Sequence, residues 1–256
     1  MRRLPVIAIY ALAILIGLAA FLAPFIFPQQ EAQGNLAPLL TMLMLGLTLI
    51  VLLVEVQGQV VSAKIIAALG ILVAIASVLR FIEVAIPGPG GFSPIFAPII
   101  LAGYVFGPRF GFLLGTLTLL VSALITGGVG PWLPYQMFTA GWVGLTSGWL
   151  PHPGQLRYQL ALLLAWGAFW GMLYGVLINL FFWPLLVGVT GTGWQPGAGF
   201  GENMARYGAF YLATSFLWDI GRALGNVALL LILGVPAIQA LARFRDRFHY
   251  ELGVDS

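Results

Sequence analysis

The 256-residue chain is 61% hydrophobic, 7% charged and carries a formal net charge of +3. A soluble domain holds roughly 25% charged residues, so this composition excludes one and reads as an all-α integral membrane protein. The absence of cysteine excludes disulfides, thiolate metal sites and cysteine nucleophiles.

A span needs about 20 mainly apolar residues. Breaks at Gly, Pro and Gln clusters divide the chain into eight candidate spans, near 5–28, 36–56, 62–86, 94–107, 110–126, 134–150, 159–187 and 207–235. The first, opening MRRLPVIAIYALAILIGLAA, has the basic start of a signal peptide, but its apolar run continues through Phe27 and reads as an uncleaved span. Residues 1–58 thus form a two-span N-terminal extension, and residues 59–256 a six-span core with a short basic tail. The 94–107 segment is short and bounded by Pro94, Pro98 and Pro108, which predicts a tilted, broken or partly inserted helix.

The 62–86 span places Ala63, Ala67, Gly70, Ala74 and Ser77 at helical spacings of 4, 3, 4 and 3, one narrow stripe of small residues. Such a stripe lets a second helix approach closely, either within the chain or from another subunit. Arg80 and Glu83 follow three apart, poised as an ion pair or as ligand contacts. The turn GGVGPWLPYQ carries Trp132, Tyr135 and Gln136 between two apolar helices. Irregular backbone near a bilayer is tolerated where it is buried in protein or lines a cavity, so these three are candidate ligand contacts. Asn179 is a lone amide in the body of its span, and Trp194 and Gln195 lie in the Gly-rich 188–208 loop, a candidate lid. In the last span Tyr211, Ser215, Asp219, Arg222 and Asn226 recur at spacings of 4, 4, 3 and 4, giving one polar stripe with Asp219 near mid-membrane. An unpaired carboxylate there costs at least about 2.5 kcal/mol, and Arg222 is its partner one turn on.

Charge sets the orientation. With the N-terminus inside, Arg2, Arg3, Lys64, Arg109, Arg157, Arg243, Arg245 and Arg247 fall on inner segments, eight of the eleven Lys and Arg. Only Arg206 lies in an outer loop. This bias predicts a multi-pass cell-membrane protein with both termini cytoplasmic and three Gly/Pro turns, 87–94, 127–134 and 188–208, facing outward. The basic residues cap helices and make no nucleic-acid patch. No GxxxxGK[ST], HExxH or acidic diphosphate cluster occurs, and the two histidines, His152 and His249, are far apart. No metal site, cofactor or catalytic group is therefore assigned, and binding fits better than catalysis.

The run AKIIAALGILVAIASVLRFIE, the turn PGPGGFSP, the segment Gly103–Leu150 and the final WDIGRALGN resemble the substrate-binding S component of energy-coupling factor (ECF) transporters. The resemblance covers roughly residues 62–250 and implies a six-helix core that binds a vitamin or other micronutrient near the outer face. It implies as partners a transmembrane coupling (T) subunit and two cytoplasmic ATPases, whose work topples the subunit. In that family the first core helix bears an AxxxA-like face for the coupling subunit, and Ala63-x-x-x-Ala67 matches it, so the stripe Ala63, Ala67, Gly70, Ala74 and Ser77 is assigned to the partner interface. Two extra N-terminal spans depart from the family pattern. The sequence style leans to cobalamin-type members, with thiamin-, pyridoxine- and queuosine-precursor types open. On this reading Trp132, Tyr135, Trp194 and Trp218 cover a ring system. Arg80, Glu83, Gln136, Asn179, Asp219 and Arg222 fix its polar groups. An autonomous secondary transporter, an integral-membrane enzyme using Asp219 or Glu83, and a purely structural subunit are the rival classes.

Overall fold

The computed structural model describes residues 10–11, 14–22, 43, 46, 50, 63–86, 89–185, 191–195 and 197–252. Among them every regular element is helical: α1 (Ala63–Ala85), α2 (Phe96–Phe106), α3 (Pro108–Thr126), α4 (Leu133–Ser147), α5 (Leu156–Phe182), α6 (Phe200–Thr214) and α7 (Phe216–Leu252), with 3-10 turns at Pro89–Gly91 and Trp183–Leu185. The N-terminal residues described between 10 and 22 are helical too. The second expected span is represented only by helical residues 43, 46 and 50. The rest of it and the expected boundary at 58 lie outside the described residues.

Among the described residues, four helices are long and apolar enough to cross a bilayer: Ile65–Ala85, Pro108–Thr126, Leu156–Phe182 and Phe216–Asp246. The other two expected core spans are shorter, and burial explains why. Nine of the eleven residues of α2 and thirteen of the fifteen of α4 are buried, so these helices are enclosed by protein and need not match lipid thickness. Proline and glycine set the breaks. Pro98 occupies the first turn of α2 and Pro108 the first position of α3, where no amide is required. Gly107 (φ 98°) makes the corner between them, and α3 ends at left-handed Gly127 (φ 69°), whose amide bonds the Ala123 carbonyl.

The centre of the molecule is a glycine-mediated crossing of α3 and α4. A Cβ on Gly144 would lie 2.0 Å from the Gly111 carbonyl oxygen, and one on Gly115 would lie 2.1 Å from that of Ala140. Gly103 of α2 meets Gly144 as closely, and Gly148 meets Pro108. Backbone therefore rests on backbone, the geometry small residues permit between membrane helices. Phe112, Leu114, Met137, Phe138, Ile99 and Ile100 fill the space around this crossing. A second close pairing joins α5 to α7, where Gly167, Gly171 and Gly175 face Leu230, Ala223 and Asp219 in turn. The N-terminal helix packs on the same core. Phe21 lies edge-on to Tyr135 (5.1 Å between ring centroids) and against Trp142, Gly17 abuts Trp142, and Tyr10 lies edge-on to Phe112.

The helices α1 and α7 are outer walls, mostly exposed along their spans, whereas more than half of α3 is buried. On α1 the inward face is Ala68, Val73, Ala76 and Ser77, while Ala67, Gly70 and Ala74 stand in the open. The small-residue stripe is thus not a single exposed line. Ser77 turns inward and donates to the Thr118 carbonyl at 3.4 Å, because its angular position drifts toward α3. The side chain of Ala63 lies outside the described residues.

The expected last span, 207–235, is not one straight helix. α6 ends at Thr214, Ser215 leaves helical geometry (φ −123°, ψ −25°), and α7 starts at Phe216. The hydrogen-bond ladder runs on through the bend, from the Ser215 amide to Tyr211 and from the Asp219 amide to Ser215. Tyr207 and Asp219 are twelve residues apart, ~18 Å along a straight helix. Yet the Tyr207 hydroxyl donates to the Val176 carbonyl and the Asp219 carboxylate lies at Gly175, adjacent residues of α5. α6 therefore lies across the end of the bundle. Asp219 accordingly sits one turn inside the end of its span, not at mid-membrane.

Candidate functional site

Two arginine–carboxylate pairs converge at this end of the bundle. On α1, Arg80 pairs with Glu83 one turn on, and Ser93, just before α2, donates its hydroxyl to the second Glu83 oxygen at 2.7 Å. On α7, Arg222 pairs with Asp219 and also donates to the Gly171 carbonyl at 3.3 Å. The Arg222 guanidinium lies over the Tyr174 ring, 5.4 Å from its centroid, and Phe96 meets that ring edge-on. The two pairs are thus electrostatic neighbours, with Arg80, Glu83 and Arg222 near Tyr174 and Arg222 near Glu83.

Its polar groups are unevenly satisfied. Asp219 is 1% exposed, and its Oδ2 makes no hydrogen bond. The buried Tyr211 hydroxyl lies beside this carboxylate, a donor next to an acceptor. A buried acceptor without a partner costs about 1–3 kcal/mol, and the neighbouring Tyr211 hydroxyl is the donor at hand to satisfy it. Gly175 permits the arrangement, since a Cβ there would fall 1.8 Å from the Asp219 carboxylate. Asn226, two turns further along α7, bonds the Gly167 carbonyl at 2.9 Å and ties α7 to α5.

Two covers close over the cluster. In the first, the 3-10 turn Pro89–Gly91 presses on α7. Gly91 (φ 73°) meets the Trp218 carbonyl, and the Gly90 carbonyl meets Gly221 so closely that a Cβ there would lie 1.5 Å away. Phe92 covers Gly225. In the second, the expected lid loop becomes helix α6 from Phe200 onward. Asn203 bonds the amide and carbonyl of Gln195 and the Ala198 carbonyl, Trp183 donates to the Thr192 carbonyl at 2.8 Å, and Tyr207 packs edge-on to Trp183.

The residues singled out in the sequence divide accordingly. Arg80, Glu83, Asp219 and Arg222 come together. Trp132 and Tyr135 lie on another side of the α5 terminus: Trp132 stacks on Phe182 and donates to the Gly128 carbonyl, and buried Tyr135 packs on Phe181 at 4.5 Å. Gln136 is half-buried beside them. Asn179 donates to the Gly175 carbonyl, four residues back on its own helix, a bond that needs no ligand. Trp194 is buried under α6, whereas Trp218 is 57% exposed on the outside of α7 and only its backbone meets the Gly91 turn. Ser93, Tyr174, Gly175 and Tyr207 join the site without having been singled out. Tyr174 and Gly175 carried a signal, since a tyrosine and a glycine stripe in α5 fall opposite the Asp219 side of α7.

Among the described residues the fold is all-helical with four helices long and apolar enough to span a bilayer, and two arginine–carboxylate pairs stand at one end of its bundle. A family model, ECF transporter, substrate-specific component, matches residues 64–234, 171 of the 256 positions. The chain belongs to this family, which consists of transporter subunits rather than enzymes and implies association with an ECF module. No curated relative and no solved structure matches it.

Proposed function

We propose that this substrate-specific subunit captures a vitamin or related micronutrient at the outer membrane face and delivers it by toppling within an ATP-driven importer. The observation that carries this reading is the partly enclosed cluster of Arg80, Glu83, Asp219 and Arg222, with the buried Asp219 carboxylate beside the Tyr211 hydroxyl beneath two covers. Polar groups placed in an apolar surround fix the orientation of a small molecule. The basic residues at the opposite end, Arg109, Arg157, Arg243 and Arg245, support an outward-facing cluster and cytoplasmic termini. Trp132, Tyr135 and Gln136, on another side of the α5 terminus, form a separate wall for a larger ligand. A cobalamin-sized molecule needs that wall as well as the cluster.

The test is a thermal-shift and native mass spectrometry panel on the purified chain, with cobalamin, thiamin, pyridoxine, biotin, riboflavin and queuosine precursors. At a ligand concentration 100 times Kd, a true ligand stabilises the fold by about 2.7 kcal/mol. A panel in which no member binds or shifts the transition removes this reading.

Partners follow from the open face of α1. Ala67, Gly70 and Ala74 are exposed, and a Cβ on Gly70 meets nothing within 4 Å, so a transmembrane coupling subunit driven by two ATPases has a flat strip on which to dock. Ala67→Trp and Gly70→Leu are expected to abolish uptake into cells while ligand binding by the purified subunit stays unchanged. Loss of binding together with uptake, or uptake at the parental rate, would move the coupling surface elsewhere.

A further inference from the structure

Helix α6 has three distinct sides. Asn203, Tyr207 and Phe210 are buried against the bundle at i, i+4 and i+7. Phe200, Met204 and Leu212, 61%, 42% and 63% exposed, lie with Gly208 on an apolar arc at four-residue steps. Glu202 and Arg206, paired at 3.0 Å, occupy the remaining side. An isolated surface helix in water would not leave three large apolar side chains open beside a charged pair. Its depth gives the reason. α6 reaches Val176, and α7 reaches the neighbouring Gly175, near the end of a 27-residue spanning helix, so α6 lies at the level where the spans leave the hydrocarbon. Beyond the Ser215 bend, Leu217 and Trp218 are 75% and 57% exposed at the head of the spanning helix α7.

We infer that α6 is an interfacial helix, seated with Phe200, Met204 and Leu212 in the acyl-chain boundary of the leaflet at this end of the bundle. The bundle face of α6 is fixed by Asn203 and Tyr207, the apolar arc by lipid, and the Glu202–Arg206 side meets water. The bilayer thereby becomes part of the cover over the ionic cluster. Swinging α6 away requires lifting three apolar side chains out of lipid as well as breaking the Asn203 and Tyr207 bonds. This inference rests on the membrane location of the spans and stands whether or not the cluster binds a vitamin.

The chain has no cysteine, so single-cysteine nitroxide labels report one position each. Met204→Cys, Leu212→Cys and Glu202→Cys full-length proteins are reconstituted in phosphatidylcholine/phosphatidylglycerol vesicles. Collision with oxygen, which concentrates in lipid, is then compared with collision with a water-soluble nickel chelate. The oxygen-to-nickel ratio is expected to be several-fold higher at 204 and 212 than at 202. Equal ratios at the three positions would put α6 in water and overturn the inference. Shielding of 204 and 212 from both reagents would mean that a protein surface, and not lipid, covers the arc, and would overturn it equally. The three side chains are exposed, and Glu202 forms only a surface pair worth at most about 1 kcal/mol, so the labels leave the fold intact.

Discussion

Gly144→Leu is expected to yield no folded protein, and Gly144→Ala to lose about 1–3 kcal/mol or more, the cost of overpacking a site that cannot yield. A Cβ at Gly144 would lie 2.0 Å from the carbonyl oxygen of Gly111 and 2.3 Å from its carbon. A Cβ at Gly111 would in turn lie 2.2 Å from the Gly144 oxygen. The obstacle on each side is backbone, which has no rotamer through which to retreat, and Gly103 presses on the same carbonyl from α2. α3 and α4 must then separate, which opens the core around Phe112, Met137 and Phe138. Gly70→Ala is the matched control, because nothing lies within 4 Å of its added methyl and alanine gains about 1 kcal/mol of helix propensity. Thermal unfolding in detergent, followed by circular dichroism, compares the two. Equal midpoints for Gly144→Ala and Gly70→Ala would mean that α3 and α4 do not cross at this point.

Asp219→Ala is expected to destabilise the protein by about 3–5 kcal/mol, since it leaves the Arg222 guanidinium without its counter-ion in a mostly buried position. The Gly171 carbonyl and the Tyr174 ring remain as contacts, with Glu83 at longer range, but none of them pairs directly with the guanidinium. The double variant Asp219→Leu/Arg222→Met removes both charges and is expected to return to the parental stability or exceed it by about 1–4 kcal/mol, as apolar replacements of buried pairs do. Stability and binding then separate. A double variant that is stable but no longer responds to the ligand found in the panel assigns the pair to binding. A double variant that keeps its ligand response makes the pair a helix fastener and removes the cluster from the site. Unchanged stability of Asp219→Ala alone would show that the pair is solvated.

The two charge pairs were legible because each lies within one helical turn, Arg80 to Glu83 and Asp219 to Arg222, and a turn is local. Their convergence about Tyr174 was not, since α1, α5 and α7 meet only in three dimensions. The polar stripe from Tyr211 to Asn226 reads as one straight helix at its spacings of 4, 4, 3 and 4. Neither Gly nor Pro marks Ser215, so the bend there had no sequence signal, and the depth of Asp219 was misjudged with it. The close crossing did have a signal. Gly103, Gly107, Gly111 and Gly115 recur every four residues, as do Ala140, Gly144 and Gly148, and both runs lie in the segment from Gly103 to Leu150. Within the small-residue stripe of α1, spacing placed five residues on one arc, but the arc is wide enough that its last member, Ser77, falls on the packed side.

Composition alone determined that this chain lives in a bilayer, because too few polar groups exist to cover its surface in water. Hydropathy, Gly/Pro breaks and basic residues determined the helices and the expected orientation, and the run from α1 to α7 carried the family. Each of these rests on residues that are neighbours in sequence. Tertiary structure decided which small residues are buried at a crossing and which stand open, which polar groups are brought together, and that α6 lies across the bundle end instead of extending α7. Those outcomes depend on which surfaces from distant parts of the chain compete for the same volume, and no local pattern of residues records the result of that competition.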